Sequence, residues 1–162
     1  MEYLWNCFWL TLPILLVNLL FATRLPATYQ SAVFWCDTPR WIAVGENASR
    51  IVVFVAPLFM PLYIANSVQL AGLALYLVGL LVYVLAWVMQ IWYVQTRWSS
   101  SRLGFMAPAY SPAFWLAGMA LISERLYFGK IYRPWMFLVI STVFLAFHNA
   151  HAWNVYSRSH RH

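Results

Sequence analysis

Charge is scarce in this chain. Only 9% of its 162 residues are Asp, Glu, Lys or Arg, against about 25% in a soluble domain. Apolar residues make up 64%, more than a soluble core of this size can hide, so much of that surface must face something other than water. Carboxylates are rarest: Glu2, Asp37, Glu46 and Glu124 all fall outside the apolar runs, which argues against a proton relay of buried acids. Lys130 is the one lysine and lies in a connecting segment, so a retinal Schiff base within a bundle is excluded. The two cysteines form no C-x-x-C; Cys7 lies near the start of the first apolar run and Cys36 in the segment after it, on opposite sides of a span, which argues against thiol redox catalysis and a mutual disulfide. H-E-x-x-H, G-x-S-x-G and phosphate-binding glycine loops are also absent, so no catalytic motif of soluble enzymes and no cofactor can be assigned. The net charge is +6, but the basic residues are scattered between apolar runs, which argues against a nucleic-acid partner.

What is present is a series of apolar runs long enough to cross a bilayer, where a helix needs about 20 residues. The fold class they predict is all-α, a polytopic bundle of five transmembrane helices over residues 4–22, 51–65, 70–95, 103–123 and 135–156, forming one transmembrane domain. Glu2 stands where a secretory signal would carry basic residues, so the first run reads as a permanent span. Arg24, Arg40, Arg50, Arg97, Arg102, Arg158 and Arg161 fall on one side of these spans, and Arg125, Lys130 and Arg133 on the other. This bias predicts an N-terminus outside and a C-terminus in the cytoplasm. Trp5, Trp41, Trp92, Trp98, Trp135 and Trp153 sit near span ends, as interfacial indoles do. The connecting segment 25–49 is the longest, and Asp37-Thr38-Pro39 before Trp41, Ile42 and Val44 predicts a capped helix lying in the inner interface. Glu46 and Arg50 are spaced to pair one turn apart as the second span begins.

Residues 54–63, Phe-Val-Ala-Pro-Leu-Phe-Met-Pro-Leu-Tyr, match residues 105–114, Phe-Met-Ala-Pro-Ala-Tyr-Ser-Pro-Ala-Phe, without a gap. Ser-Arg precedes both, and the following spans end alike, in Trp92-Tyr93-Val94-Gln95-Thr96-Arg97 and Trp153-Asn154-Val155-Tyr156-Ser157-Arg158. Aromatic matches are cheap here, but four of the eight prolines fall in register. The pattern reads as a helical hairpin used twice, over 49–97 and 101–158, as parallel copies about an axis along the membrane normal. Each proline frees a carbonyl one turn earlier, and in lipid that carbonyl needs an inward partner. Pro57, Phe59 and Tyr63 with Pro108, Tyr110 and Phe114 are therefore candidate walls of a space for an apolar or amphipathic small molecule. The plainer alternative is helix packing, with Gly72, Gly79, Ala117 and Gly118 letting backbones approach.

Polar side chains at membrane depth are few, and such groups tend to be functional. Gln90 lies in the third span, and His148 and His151 share one face of the fifth near its inner end. Two histidines are not a metal site, and further ligands could come only from Cys36, Asp37 or Glu46. Three functions follow: a membrane protein that binds or moves a small molecule within the bundle, an accessory subunit packed on a membrane partner or a second copy, and an enzyme acting on a lipid-like substrate with His148 and His151 as acid-base groups. The first two weigh more than the enzyme. The run Trp35-Cys36-Asp37-Thr38-Pro39-Arg40-Trp41, with the chain's size, five spans and many Trp, looks loosely like the translocator protein family of tryptophan-rich sensory proteins. That overlap covers one short loop, and the polar residues of that family's later spans do not align here.

Overall fold

The structure, a computed structural model, describes residues 4–129 and 131–159; Glu2, Lys130, His160, Arg161 and His162 lie outside the described residues. The described chain is 77% helix with no strands. A 3-10 turn at Cys7–Leu10 leads into α1 (Leu12–Ala22), and the short α2 (Ser31–Phe34) follows. Next come α3 (Arg40–Val55), α4 (Ser67–Trp92), α5 (Arg97–Ser100), α6 (Arg102–Tyr110), α7 (Pro112–Ile122) and α8 (Pro134–Ser159). Four helical stretches are long and apolar enough to cross a membrane: Arg40–Phe59, Ser67–Trp92, Arg102–Ile122 and Pro134–Ser159. The first apolar segment, Cys7–Ala22, is shorter than these.

Local chemistry sets the helix ends. Asn66 and Gln69, in the gap between the predicted spans 51–65 and 70–95, cap α4: the Asn66 side chain accepts from the Gln69 N–H at 3.0 Å, and Gln69 Oε1 accepts from the Asn66 N–H at 3.3 Å. Ser101 caps α6 by accepting from the Gly104 N–H at 3.1 Å.

The second helix departs most from expectation. It begins at Arg40, eleven residues before the predicted span at 51–65, and its regular part ends at Val55. No separate interfacial helix forms, because Trp41, Ile42 and Val44 belong to the first turns of α3. Asp37 turns the chain with a φ of 48°, a left-handed conformation that Asp tolerates, and Pro39 stands just before the helix. At the other end Pro57 sits in a 3-10 turn and Pro61 in extended chain, where the Cys7 N–H donates to Met60 O at 2.8 Å and the Leu62 N–H to Trp5 O at 3.0 Å. The first proline pair thus ends a helix. In the second pair, Pro108 lies inside α6, and Pro112 opens α7 after a break at Ser111.

α4 packs most extensively on α7, α3 packs on α8, and α8 also covers α6 and α7. α1 leans on α4. The α4–α7 contact is backbone on backbone: an ideal Cβ at Gly79 would lie 2.4 Å from Trp115 N, and one at Gly118 2.4 Å from Tyr76 N. Residues 5–7, 60–62 and 124–129 gather at one end of the bundle, and residues 34–40, 97–102 and 151–159 at the other. The outer faces are apolar, with Leu19 70% and Leu81 58% exposed. Such a surface with four long apolar helices is compatible with a multi-pass membrane protein.

Candidate functional site

A fully buried carboxylate organises the end of the bundle where α3 meets α8. Glu46 lies on the second turn of α3, not in a loop, and so within a stretch long enough to cross a membrane. Arg50, one turn on, donates to Glu46 Oε1. His148 Nδ1 meets the same oxygen at 2.9 Å, and His151 Nδ1 meets Oε2 at 2.5 Å. An ionised carboxylate only accepts, so each imidazole turns an Nδ1–H toward it. The spacing of three between the histidines stacks them on one face of α8, and Glu46 bridges both. An isolated buried carboxylate would be prohibitively costly; here several donors face it, and the helix runs through a charge that would otherwise stop it.

His151 carries the connection to the segment before α3. Its Nε2 lies 3.0 Å from Phe34 O and 3.1 Å from Thr38 Oγ1, and its ring sits 4.3 Å from the Phe34 ring centroid and 4.4 Å from that of Trp35. Arg158 donates to Cys36 O and, at 3.4 Å, to Phe34 O, which closes the same latch from the end of α8. Thr38, His151 and Glu46 have the hydroxyl–imidazole–carboxylate order of a hydrolytic triad. A carbonyl accepts only, however, so Nε2 donates to Phe34 O and has no lone pair to take the threonine proton. Cys36 is no better a nucleophile, since its thiol donates to the Asp37 carboxylate at 3.3 Å, which pushes its pKa up. Among the described residues no group of three His, Cys, Asp or Glu side chains is arranged to hold a metal.

His148 is the histidine that reaches open space. It borders a cavity of about 350 Å³ whose walls come from six helices and include Asn18, Arg50, Phe54, Trp87, Pro108, Pro112, Trp115 and Phe144. A smaller hollow of about 130 Å³, bordered by Tyr29, Phe34 and Phe105, shares Trp87, Pro108 and His148 with it. A larger hollow of about 630 Å³ lies at the opposite end, between Trp5, Tyr63, Glu124 and Tyr127, and is walled by connecting segments.

Of the residues singled out in sequence, Pro108 and His148 line this cavity. His151 backs it through Glu46. Pro57 is buried at the far end of α3, Phe59 packs on Phe128 at 5.2 Å between ring centroids, and Tyr63 is 64% exposed at the opposite end. Tyr110 and Phe114 lie on outward faces, 38% and 46% exposed, so the six candidates do not wall one space. Gln90 is buried and serves the backbone: its Nε2 donates at 2.7 Å to Gly104 O, the carbonyl that Pro108 releases, and at 3.3 Å to Ser99 O. Gln90→Met should therefore lower stability by about 1–3 kcal/mol through unpaired buried carbonyls, as read by thermal unfolding in detergent, without altering occupancy of the cavity. Thr38 and Arg158 carry no sequence signal as partners of the histidines, whereas Glu46 is a candidate beside them as a metal ligand and is spaced to pair with Arg50.

Compared with known protein families, curated proteins and solved structures, the chain matches none. Fold and site define its class: an all-α bundle with four membrane-length helices, a buried glutamate held by two histidines and an arginine, and a cavity beside it.

Proposed function

We propose that this is a five-span membrane protein, N-terminus outside and C-terminus cytoplasmic, that binds an apolar or amphipathic small molecule in the cavity beside Glu46. The observation that carries this reading is the cavity itself, with mostly apolar and aromatic walls and a small polar end at Arg50 and His148. Its volume, about 350 Å³, falls in the range of about 300–1,000 Å³ common to ligand sites. The fifth span would be Cys7–Ala22, whose Leu16, Leu19 and Leu20 are exposed and suit lipid. Arg24, Arg40, Arg97, Arg102 and Arg158 fall at the end that carries the latch, which supports placing that end inside. The duplicated hairpin is part of the proposal, supported by the pairing of α3 with α8 and of α4 with α7, contacts that an exchange of the two copies would interconvert.

A diazirine-bearing dodecanol, photolysed with the purified protein in nanodiscs and mapped by peptide mass spectrometry, tests the binding reading. Crosslinks at Leu15, Phe54 and Phe144 should appear and be competed by unlabelled dodecanol, whereas those at lipid-facing Leu19, Leu81 and Val139 should not be competed. Absence of competable labelling in the cavity would overturn it.

A further inference from the structure

We propose that the polar end of the cavity takes the carboxyl head of a single-chain amphipathic acid, with Arg50 donating to one oxygen and His148 Nε2 sharing the acid's proton at the other. This deepens the ligand reading above and rests on it.

The polar groups near His148 are nearly all committed to one another. Glu46 accepts from Arg50, His148 and His151. The Tyr83 hydroxyl donates to Asn18 Oδ1 at 2.5 Å, and that of Tyr29 to Phe105 O at 2.7 Å. Two capacities are left over. Arg50 has five N–H donors, gives a hydrogen bond to Glu46 only among the described residues, and borders the cavity with a side chain 37% exposed. His148 holds Glu46 through Nδ1 and stacks on Phe144 at 5.2 Å, and its Nε2 has no hydrogen-bond partner among the described residues. With Nδ1 donating, Nε2 of the neutral ring is an acceptor.

A ligand head that satisfies both must accept from a guanidinium and donate to an imidazole through adjacent atoms. A carboxylic acid does this, its carbonyl oxygen on Arg50 and its O–H on Nε2. If the proton crosses, the O–H bond breaks as an N–H bond forms, and the carboxylate then faces both Arg50 and an imidazolium. An alcohol offers one oxygen for two sites, and an amine would set a cation against Arg50. Trp87 and Trp115 add two more unused groups, for among the described residues their buried indole N–H groups lack an acceptor and both residues form part of the cavity wall. A cavity of about 350 Å³ suits one acyl chain along Ile14, Leu15 and Phe54 and is too small for a two-chain phospholipid.

The test compares diazirine-bearing dodecanoic acid, dodecanol and dodecylamine on the full chain in nanodiscs. The acid should label Phe54 and Phe144 at about tenfold lower concentration than the alcohol, as a charge-assisted pair predicts. Arg50→Gln should bring acid and alcohol level, the alcohol confirming that the cavity persists, and Arg50→Lys should fall between, since it keeps the charge and loses the fork. Equal labelling of the wild type by acid and alcohol, or preferred labelling by the amine, would overturn the carboxyl assignment while leaving a ligand cavity in place. Failure of all three probes to label the cavity would remove both readings. If Arg50→Gln does not fold, the wild-type comparison still decides.

Discussion

Glu46→Ala should lower stability by about 3–5 kcal/mol, a fall in apparent Tm of about 10 °C, whereas Glu46→Gln should cost a small part of that. Alanine leaves Arg50, His148 and His151 without the acceptor on which all three converge, and removing one member of a buried ionic set costs more than the set contributes. Glutamine can be accommodated. Its amide oxygen can accept from Arg50 and His148, its NH₂ can donate to His151 Nδ1, and the remaining His151 proton can stay on Nε2 toward Phe34 O at 3.0 Å. The ordering separates a hydrogen-bonded hub from a carboxylate whose charge alone matters, since a purely ionic role would make the two substitutions alike. Thermal unfolding in detergent reads it, and an unchanged Tm in Glu46→Ala would remove the hub.

The same residue marks where sequence reading stopped short. Charge scarcity and the apolar runs made a bundle of long apolar helices legible, and the gap between the runs 51–65 and 70–95 marked a boundary, which the structure makes the cap of α4. Glu46 and Arg50, by contrast, stand just before the apolar run that opens at Ile51, and an ionisable pair in a span is costly when judged without its partners. The partners are His148 and His151, about one hundred residues away, and nothing local to α3 announces them. The histidine pair is visible by its spacing, and Glu46 beside it only as one of three possible metal ligands. Periodicity reports which side chains share a face; it does not report the helix opposite.

The proline repeat shows a second limit. Two prolines four residues apart free the same carbonyls in either copy, yet only the second copy stays helical through its first proline. A partner for the freed carbonyl makes the difference. Gln90 Nε2 takes Gly104 O, and Asn149 Nδ2 supports Ala109 O at 3.1 Å, whereas the first copy meets residues 5–7 and unwinds onto them. The same proline spacing therefore has two outcomes, set by what packs alongside. Tyr63, Tyr110 and Phe114 follow their own segments outward, which is why the aromatic wall read from the repeat does not form around the cavity.

Gly79→Ala and Gly118→Ala should each destabilise the bundle by about 3 kcal/mol or more, beyond the usual range for an added methyl group, and Gly45→Ala by clearly less. At Gly79 the new Cβ would meet Trp115 N at 2.4 Å and Phe114 C at 2.8 Å; at Gly118 it would meet Tyr76 N at 2.4 Å and Gly72 O at 2.6 Å. Each of these is backbone in the helix opposite, which cannot turn aside, so α4 and α7 must separate along their whole contact and lose dispersion at every layer. Gly45 faces an approach just as short, 2.4 Å, but to the Phe147 ring, which can rotate away at the cost of its contact with Trp41. Distance alone ranks the three glycines together, and the mobility of the opposing atom ranks them apart. Unfolding of the three variants in one detergent decides between those orders: if Gly45→Ala proves as damaging as the other two, rigid backbone contact is not what holds α4 against α7.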